Sequence, residues 1–172
     1  MNNNDKLVRI RYALDIKDTD MRKIFELGGE KVTKEDLAAL LNRTASKNQL
    51  EDGEYLENEY ELTCPNRLLE TFYNGLITFK RGKRPLKPGE VEKPLPFTMT
   101  HQNGNNVMLK KLKIAMNMTS EDMLQTLELA GVIISASELS ALFRKEGTKN
   151  YQMCGDRFAR NYIKGLGIQH RQ

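Results

Sequence analysis

Residues 20–29 read Asp-Met-Arg-Lys-Ile-Phe-Glu-Leu-Gly-Gly, and residues 122–131 read Asp-Met-Leu-Gln-Thr-Leu-Glu-Leu-Ala-Gly. Five residues recur in place, 102 positions apart. Working outward, residues 7–48 lie on 109–150 without a gap, and 12 of those 42 positions are identical, among them Leu7/Leu109, Ala13/Ala115, Leu37/Leu139, Leu40/Leu142 and Asn48/Asn150. From Cys64 onward the offset is 90, pairing Cys64/Cys154, Arg67/Arg157, Gly75/Gly165 and Leu76/Leu166. The change of offset places about twelve extra residues in the first copy, near Leu50–Glu61. Such self-similarity at a fixed spacing marks a tandem duplication, here of a unit of roughly 70 residues.

Each copy reads as four helices. Leu7, Ile10 and Leu14, echoed by Leu109, Leu112 and Met116, share one helical face. Asp18 and Ser120 read as N-caps of a second helix, which Gly29 and Gly131 stop. Thr33-x-x-Asp36 and Ser135-x-x-Glu138 read as capping boxes opening a third. A fourth starts near Asn66 and Asp156 and buries Leu68, Leu69, Phe72 and Leu76, or Phe158, Tyr162 and Leu166. No stretch sustains period-two alternation, so the expected fold is all-α. It comprises helical repeat 1 over residues 1–81, a Pro-rich connector over 82–104 and helical repeat 2 over 105–172. Prolines 85, 88, 94 and 96 deny the connector a helix. A unit of this size is marginal alone, so the copies should share an interface with pseudo-two-fold symmetry. The matched Gly75 and Gly165 point to close helix approach, with that interface as the candidate location.

With 39% hydrophobic and 29% charged residues, the chain is neither disordered nor disulfide-dense. No apolar run approaches the ~18 residues of a membrane helix, and the N-terminus lacks the pattern of a secretory signal. Two cysteines 90 positions apart fit a reducing cytosol, and the expected location is cytoplasmic. Net charge is +4, yet residues 50–61 hold six acids and no base, so the remainder carries +10. That basic scaffold suits an anionic partner.

The stretch Asn105-Asn106-Val107-Met108-Leu109-Lys110-Lys111-Leu112-Lys113-Ile114-Ala115 resembles the bacterial YehS-like family, a domain of unknown function. So do Phe72-Tyr73-Asn74-Gly75-Leu76-Ile77 with Lys80-Arg81-Gly82-Lys83, and Cys154-Gly155-Asp156-Arg157-Phe158. The acidic insert and the connector length depart from the pattern. The resemblance implies a duplicated helical unit from a bacterial cytoplasmic protein, and it implies no activity.

Chemistry-bearing residues are sparse. Neither His101 nor His170 lies in a repeated element, and no phosphate loop, zincin motif or CxxC pair appears. An enzyme is therefore not expected, and no cofactor or metal is assigned. Cys64 and Cys154 precede the fourth helices and read as small buried hydrophobes rather than activated thiols. Asp20, Glu26, Arg67, Asp122, Glu128 and Arg157 are the charges that recur, and they read as structural ion pairs between the second and fourth helices. An EF-hand beginning at Asp15 fails because Lys17 takes a ligand position and Asp20 replaces the required Gly. A sequence-reading helix-turn-helix is weak, since the third helices open on acids that phosphate would repel. Candidate phosphate contacts are Lys6, Arg9 and Arg11 with Lys110, Lys111 and Lys113 on the first helices, and Lys80, Arg81, Lys83, Arg84 and Lys87 at the connector. The acidic segment 50–61 reads as a surface loop, with docking as the other reading. The function expected first is a non-enzymatic helical interaction module for a protein partner. The alternative is a nucleic-acid-associated protein that grips phosphate backbone; no membrane partner is expected, and oligomeric state is open.

Overall fold

The computed structural model describes residues 1–45 and 57–172. The first copy supplies α1 (Asn3–Ala13), α2 (Asp18–Leu27), α3 (Lys34–Leu41) and α4 (Asn66–Arg81); the second supplies α5 (Gly104–Ala115), α6 (Ser120–Leu129), α7 (Ala136–Leu142) and α8 (Asp156–Arg171). Strands β1 (Arg43–Ala45) and β2 (Glu59–Tyr60) pair antiparallel where the extra segment leaves and rejoins the first copy. The fold is all-α apart from this short ladder. Among the described residues no helix is long and apolar enough to cross a membrane.

Side-chain caps open four of these helices, α1, α3, α6 and α7, with shifts in detail. Thr33 and Ser135 cap α3 and α7 as expected, their hydroxyls accepting from the N–H of Asp36 and Glu138. The reciprocal boxes lie elsewhere, at Asn2/Asp5 before α1 and Thr119/Asp122 before α6. The caps of α2 and α6 are Lys17 and Thr119, one residue ahead of the expected Asp18 and Ser120. The Thr119 hydroxyl accepts from the Asp122 N–H and the Asp122 carboxylate from the Thr119 N–H, closing a reciprocal pair across one turn.

The copies do not fold side by side; they exchange first helices. Helix α1 packs on α8 and α5 packs on α4, while α2 stays on α4 and α6 on α8. The helices of each exchanged pair run in the same direction. Met1 meets Asp156 where α1 and α8 begin, and Arg171 lies over Tyr12 where they end. Arg81 donates to Ile114 O at the ends of α4 and α5. A single core results, with Leu7, Phe25, Leu69, Phe72, Met108, Leu109, Met123, Leu127 and Tyr162 fully buried. Burial at roughly 25 cal/mol per Å² of apolar surface makes the two halves mutually dependent.

Two buried asparagines tie each exchanged helix back to its own copy. Asn4 Nδ2 donates to the carbonyls of Leu40 (2.9 Å) and Leu62 (2.8 Å), and its Oδ1 accepts from Cys64 N (2.9 Å). Asn106 repeats the bracket on Leu142 (3.0 Å), Gln152 (2.9 Å) and Cys154 N (2.9 Å). The repeat thus reaches three residues further toward the N-terminus than Leu7/Leu109. Each side chain satisfies three backbone groups where helix and sheet bonding leave them unpaired.

Gly75 and Gly165 mark close approach within a copy, not between copies. A Cβ on Gly75 would fall on the carbonyl oxygen of Ile24 in α2, and one on Gly165 on that of Thr126 in α6.

Candidate functional site

The eleven candidate phosphate contacts scatter into three groups and two isolated exposed residues. Lys80, Arg81, Lys110 and Lys113 converge at the ends of α4 and α5, one helix from each copy. They rim two adjoining depressions whose remaining walls are Ile114, Ala115, Met116, Asn117, Met118 and Phe143. The larger, of about 410 Å³, and the smaller, of about 330 Å³, have no acid among their lining residues. Lys113 Nζ sits 5.1 Å from the centroid of the Phe143 ring. Cations in the last turn also complement the carbonyl end of a helix, which explains why sequence places them there.

A second group is already partnered. Arg11 meets Asp18 at 2.7 Å, Lys83 meets Glu92 at 3.7 Å, and Arg84 pairs with Glu90. Arg9 and Lys87 are exposed. The third group, Lys6 and Lys111, is buried, Lys6 at the wall of a cavity and Lys111 in the core.

Lys111 anchors an ion pair that sequence reading missed. Its Nζ donates to Glu70 Oε2 at 2.8 Å, to Asn74 Oδ1, and to the Pro96 carbonyl at 2.9 Å. The Glu70 carboxylate also accepts from the N–H groups of Thr98 and Met99 and the Thr98 hydroxyl. Burial by itself would raise the Glu70 carboxyl, but Lys111 and these N–H donors outweigh it and hold it below its usual range. Burial pulls the Lys111 ammonium down despite the neighbouring carboxylate. The cluster straps the end of the connector onto α4 and α5. A signal existed: Glu70 stands where the second copy has Arg160, and Asn74 where it has Lys164.

The six recurring charges do not form the expected ion pairs. None of Asp20, Glu26, Arg67, Asp122, Glu128 and Arg157 lies within 4 Å of an opposite charge among the described residues. Asp122 is spent on capping α6, accepting from Thr119 N at 2.8 Å. Arg67 stacks on Phe97, 4.3 Å from the ring centroid. Glu26, Glu128 and Arg157 are exposed, where water solvates charge better than a partner would.

Both cysteines are free and buried, and burial pushes each thiol up to about 12. Neither is a thiolate near neutral pH, so neither is an activated nucleophile. His101 and His170 are exposed. Among the described residues no group of three or more His, Cys, Asp or Glu side chains is placed to hold a metal ion. Of the acidic segment, residues 50–56 lie outside the described residues; Tyr60 Oη donates to Asp5 Oδ1 at 2.7 Å.

Comparison with known proteins agrees with the duplicated architecture. The family model described as "Protein of unknown function (DUF1456)" matches residues 3–82 and 105–172. The chain is 34% identical over 170 residues to "Uncharacterized protein YehS" of Escherichia coli (strain K12), covering 98% of this chain and 96% of that protein. No solved structure matches. With most of both helical repeats matched, the chain belongs to the DUF1456 family, whose function is unknown.

Proposed function

We propose that the chain is a non-enzymatic helical binding module that presents one face, built jointly by its two copies, to a protein partner. One observation carries the reading: exchange of α1 and α5 puts the ends of α4 and α5 side by side, with Lys80, Arg81, Lys110 and Lys113 around an apolar floor. Cations beside Phe143 and Met118 suit a partner that combines acidic and apolar side chains. The two buried, protonated thiols sit comfortably in a reducing cytoplasm.

Nucleic acid is the second reading, favoured by the absence of any acid among the residues lining the two depressions. Backbone contacts made by four cations would cost about a hundredfold in affinity between 50 and 200 mM salt. Salt-dependent anisotropy with generic DNA and RNA separates the readings. No binding at 50 mM salt removes the nucleic-acid reading. For the protein partner, crosslinked capture from the native host, with and without nuclease, is compared between the native chain and Lys110→Glu/Lys113→Glu. A nuclease-resistant species captured equally by both proteins would overturn the assignment of this face.

A further inference from the structure

Lys6 is 6% exposed and, among the described residues, its ammonium makes no hydrogen bond and no ion pair within 4 Å. An isolated ammonium withdrawn from water is costly unless something pairs with it. The fold does not require it: the second copy places Met108 at this position, fully buried. Asp156 is the nearest acid in influence, but its oxygens are occupied, Oδ2 by the Met1 amino group at 2.6 Å and Oδ1 by Asn105 Nδ2 at 2.9 Å.

Three helix starts around Lys6 add positive potential, while Glu57 and Asp156 bring two carboxylates to the same wall. Lys6 lines a cavity of about 450 Å³ where α4, α5 and α8 all begin, walled also by Asn66, Gly104, Asn105, Gly155 and Asp156. A Cβ on Gly104, the first residue of α5, would lie 3.4 Å from Lys6 Nζ. None of these three helices has a side-chain cap, so their first N–H groups lack the acceptor that Asn2 and Thr119 give α1 and α6. A lysine ammonium beside uncapped helix starts is placed against the helix dipole, and an anion between them reverses the sign of that interaction; Asp156 supplies one negative charge at the start of α8 and none stands at the start of α4 or α5. Glu57 and His101 stand at the same cavity without pairing with Lys6, and the Asp156 carboxylate offsets its charge only from beyond ion-pair distance.

We propose that this cavity is a phosphate-binding site, with Lys6 as counter-charge and the opening N–H groups of α5 and α8 as donors. The volume exceeds that of a bare phosphate, so it admits the phosphate end of a small monoester. It lies at the opposite ends of α4 and α5 from the Lys80–Lys113 depressions and does not depend on them.

The test is thermal unfolding of the full chain, at matched ionic strength, with inorganic phosphate, ribose 5-phosphate, sulfate or acetate. At ten times Kd, phosphate or the monoester raises Tm by about 3–5 °C. A larger rise with ribose 5-phosphate assigns a monoester, and an equal rise assigns the free ion. Lys6→Met, which installs the second copy's residue, abolishes the rise yet leaves the ligand-free protein at least as stable as the native chain. In parallel, amide NMR of the native chain with inorganic phosphate shifts residues 104–106 and 155–157. No Tm rise with either phosphate, an equal rise with acetate, a rise retained in Lys6→Met, or shifts confined to Lys110–Asn117 would each overturn the proposal.

Discussion

Lys111 Nζ lies 2.8 Å from Glu70 Oε2, and this contact joins the second copy to the first with both side chains out of water. Its pseudo-equivalents across the α1–α8 contact are Arg9 and Arg160, two cations that cannot pair. At this pair of positions the duplication therefore carries an ion pair on one side only, the side over which the connector passes. Removing a single partner leaves the other charge buried alone. Lys111→Met and Glu70→Gln should each lower stability in urea by about 3–5 kcal/mol, and pairing Lys111→Met with Glu70→Met should recover part of the loss.

The same carboxyl makes acid stability a readout. Its folded-state value is depressed, so its contribution is present above the unfolded value, 4.5, and is lost as pH falls through the lower folded one. Urea midpoints measured down through this window should fall less steeply in Glu70→Gln than in the native chain.

The asparagine brackets are the second structural dependence. Asn4→Ala strands two carbonyls and one N–H that are now satisfied, and Asn106→Ala does the same. At about 1–3 kcal/mol for each buried orphan, either change should cost at least ~3 kcal/mol by chemical denaturation. Asn4→Asp should fare no better, because an ionised carboxylate cannot donate to the carbonyls of Leu40 and Leu62.

Gly75→Ala and Gly165→Ala would drive a methyl group into the backbone of α2 and α6. Each should cost about 3 kcal/mol or lead to insoluble protein. Gly155→Ala is the control: a Cβ there meets nothing within 4 Å, and the change should cost under ~1 kcal/mol.

The two thiols predict an alkaline limit. Their folded values stand at about 12 against an ordinary 9.0, so the benefit of keeping them neutral is full below pH 9 and fades between 9 and 12. Native protein at pH 8 should resist iodoacetamide and become alkylated only when unfolded. Stability measured upward from pH 9 should fall less in Cys64→Ala/Cys154→Ala.

Arg67 stacks on Phe97 instead of meeting an acid, so Arg67→Ala should cost no more than about 1 kcal/mol. Arg157 is exposed and stacks on no ring among the described residues, and Arg157→Ala should be close to neutral in the same melt.

Helix content, helix order and the duplication were all legible without coordinates. Apolar spacing and capping are properties of neighbours three or four residues apart, so Leu37/Leu40 and Thr33/Asp36 declare themselves in any sequence window. Charge was less legible. Lys6, Lys111 and Lys113 look alike in one dimension, yet one is unpaired in a cavity, one is paired in the core and one lies at the surface. Comparing the copies would have flagged the first, since Lys6 stands opposite Met108. Local periodicity by itself determined that each copy is four amphipathic helices. Tertiary structure alone decided that α1 leaves its own copy for α8 while α5 crosses to α4. An apolar face specifies that it must be covered, not by which of two similarly patterned partners, and only the packing of the whole chain makes that choice.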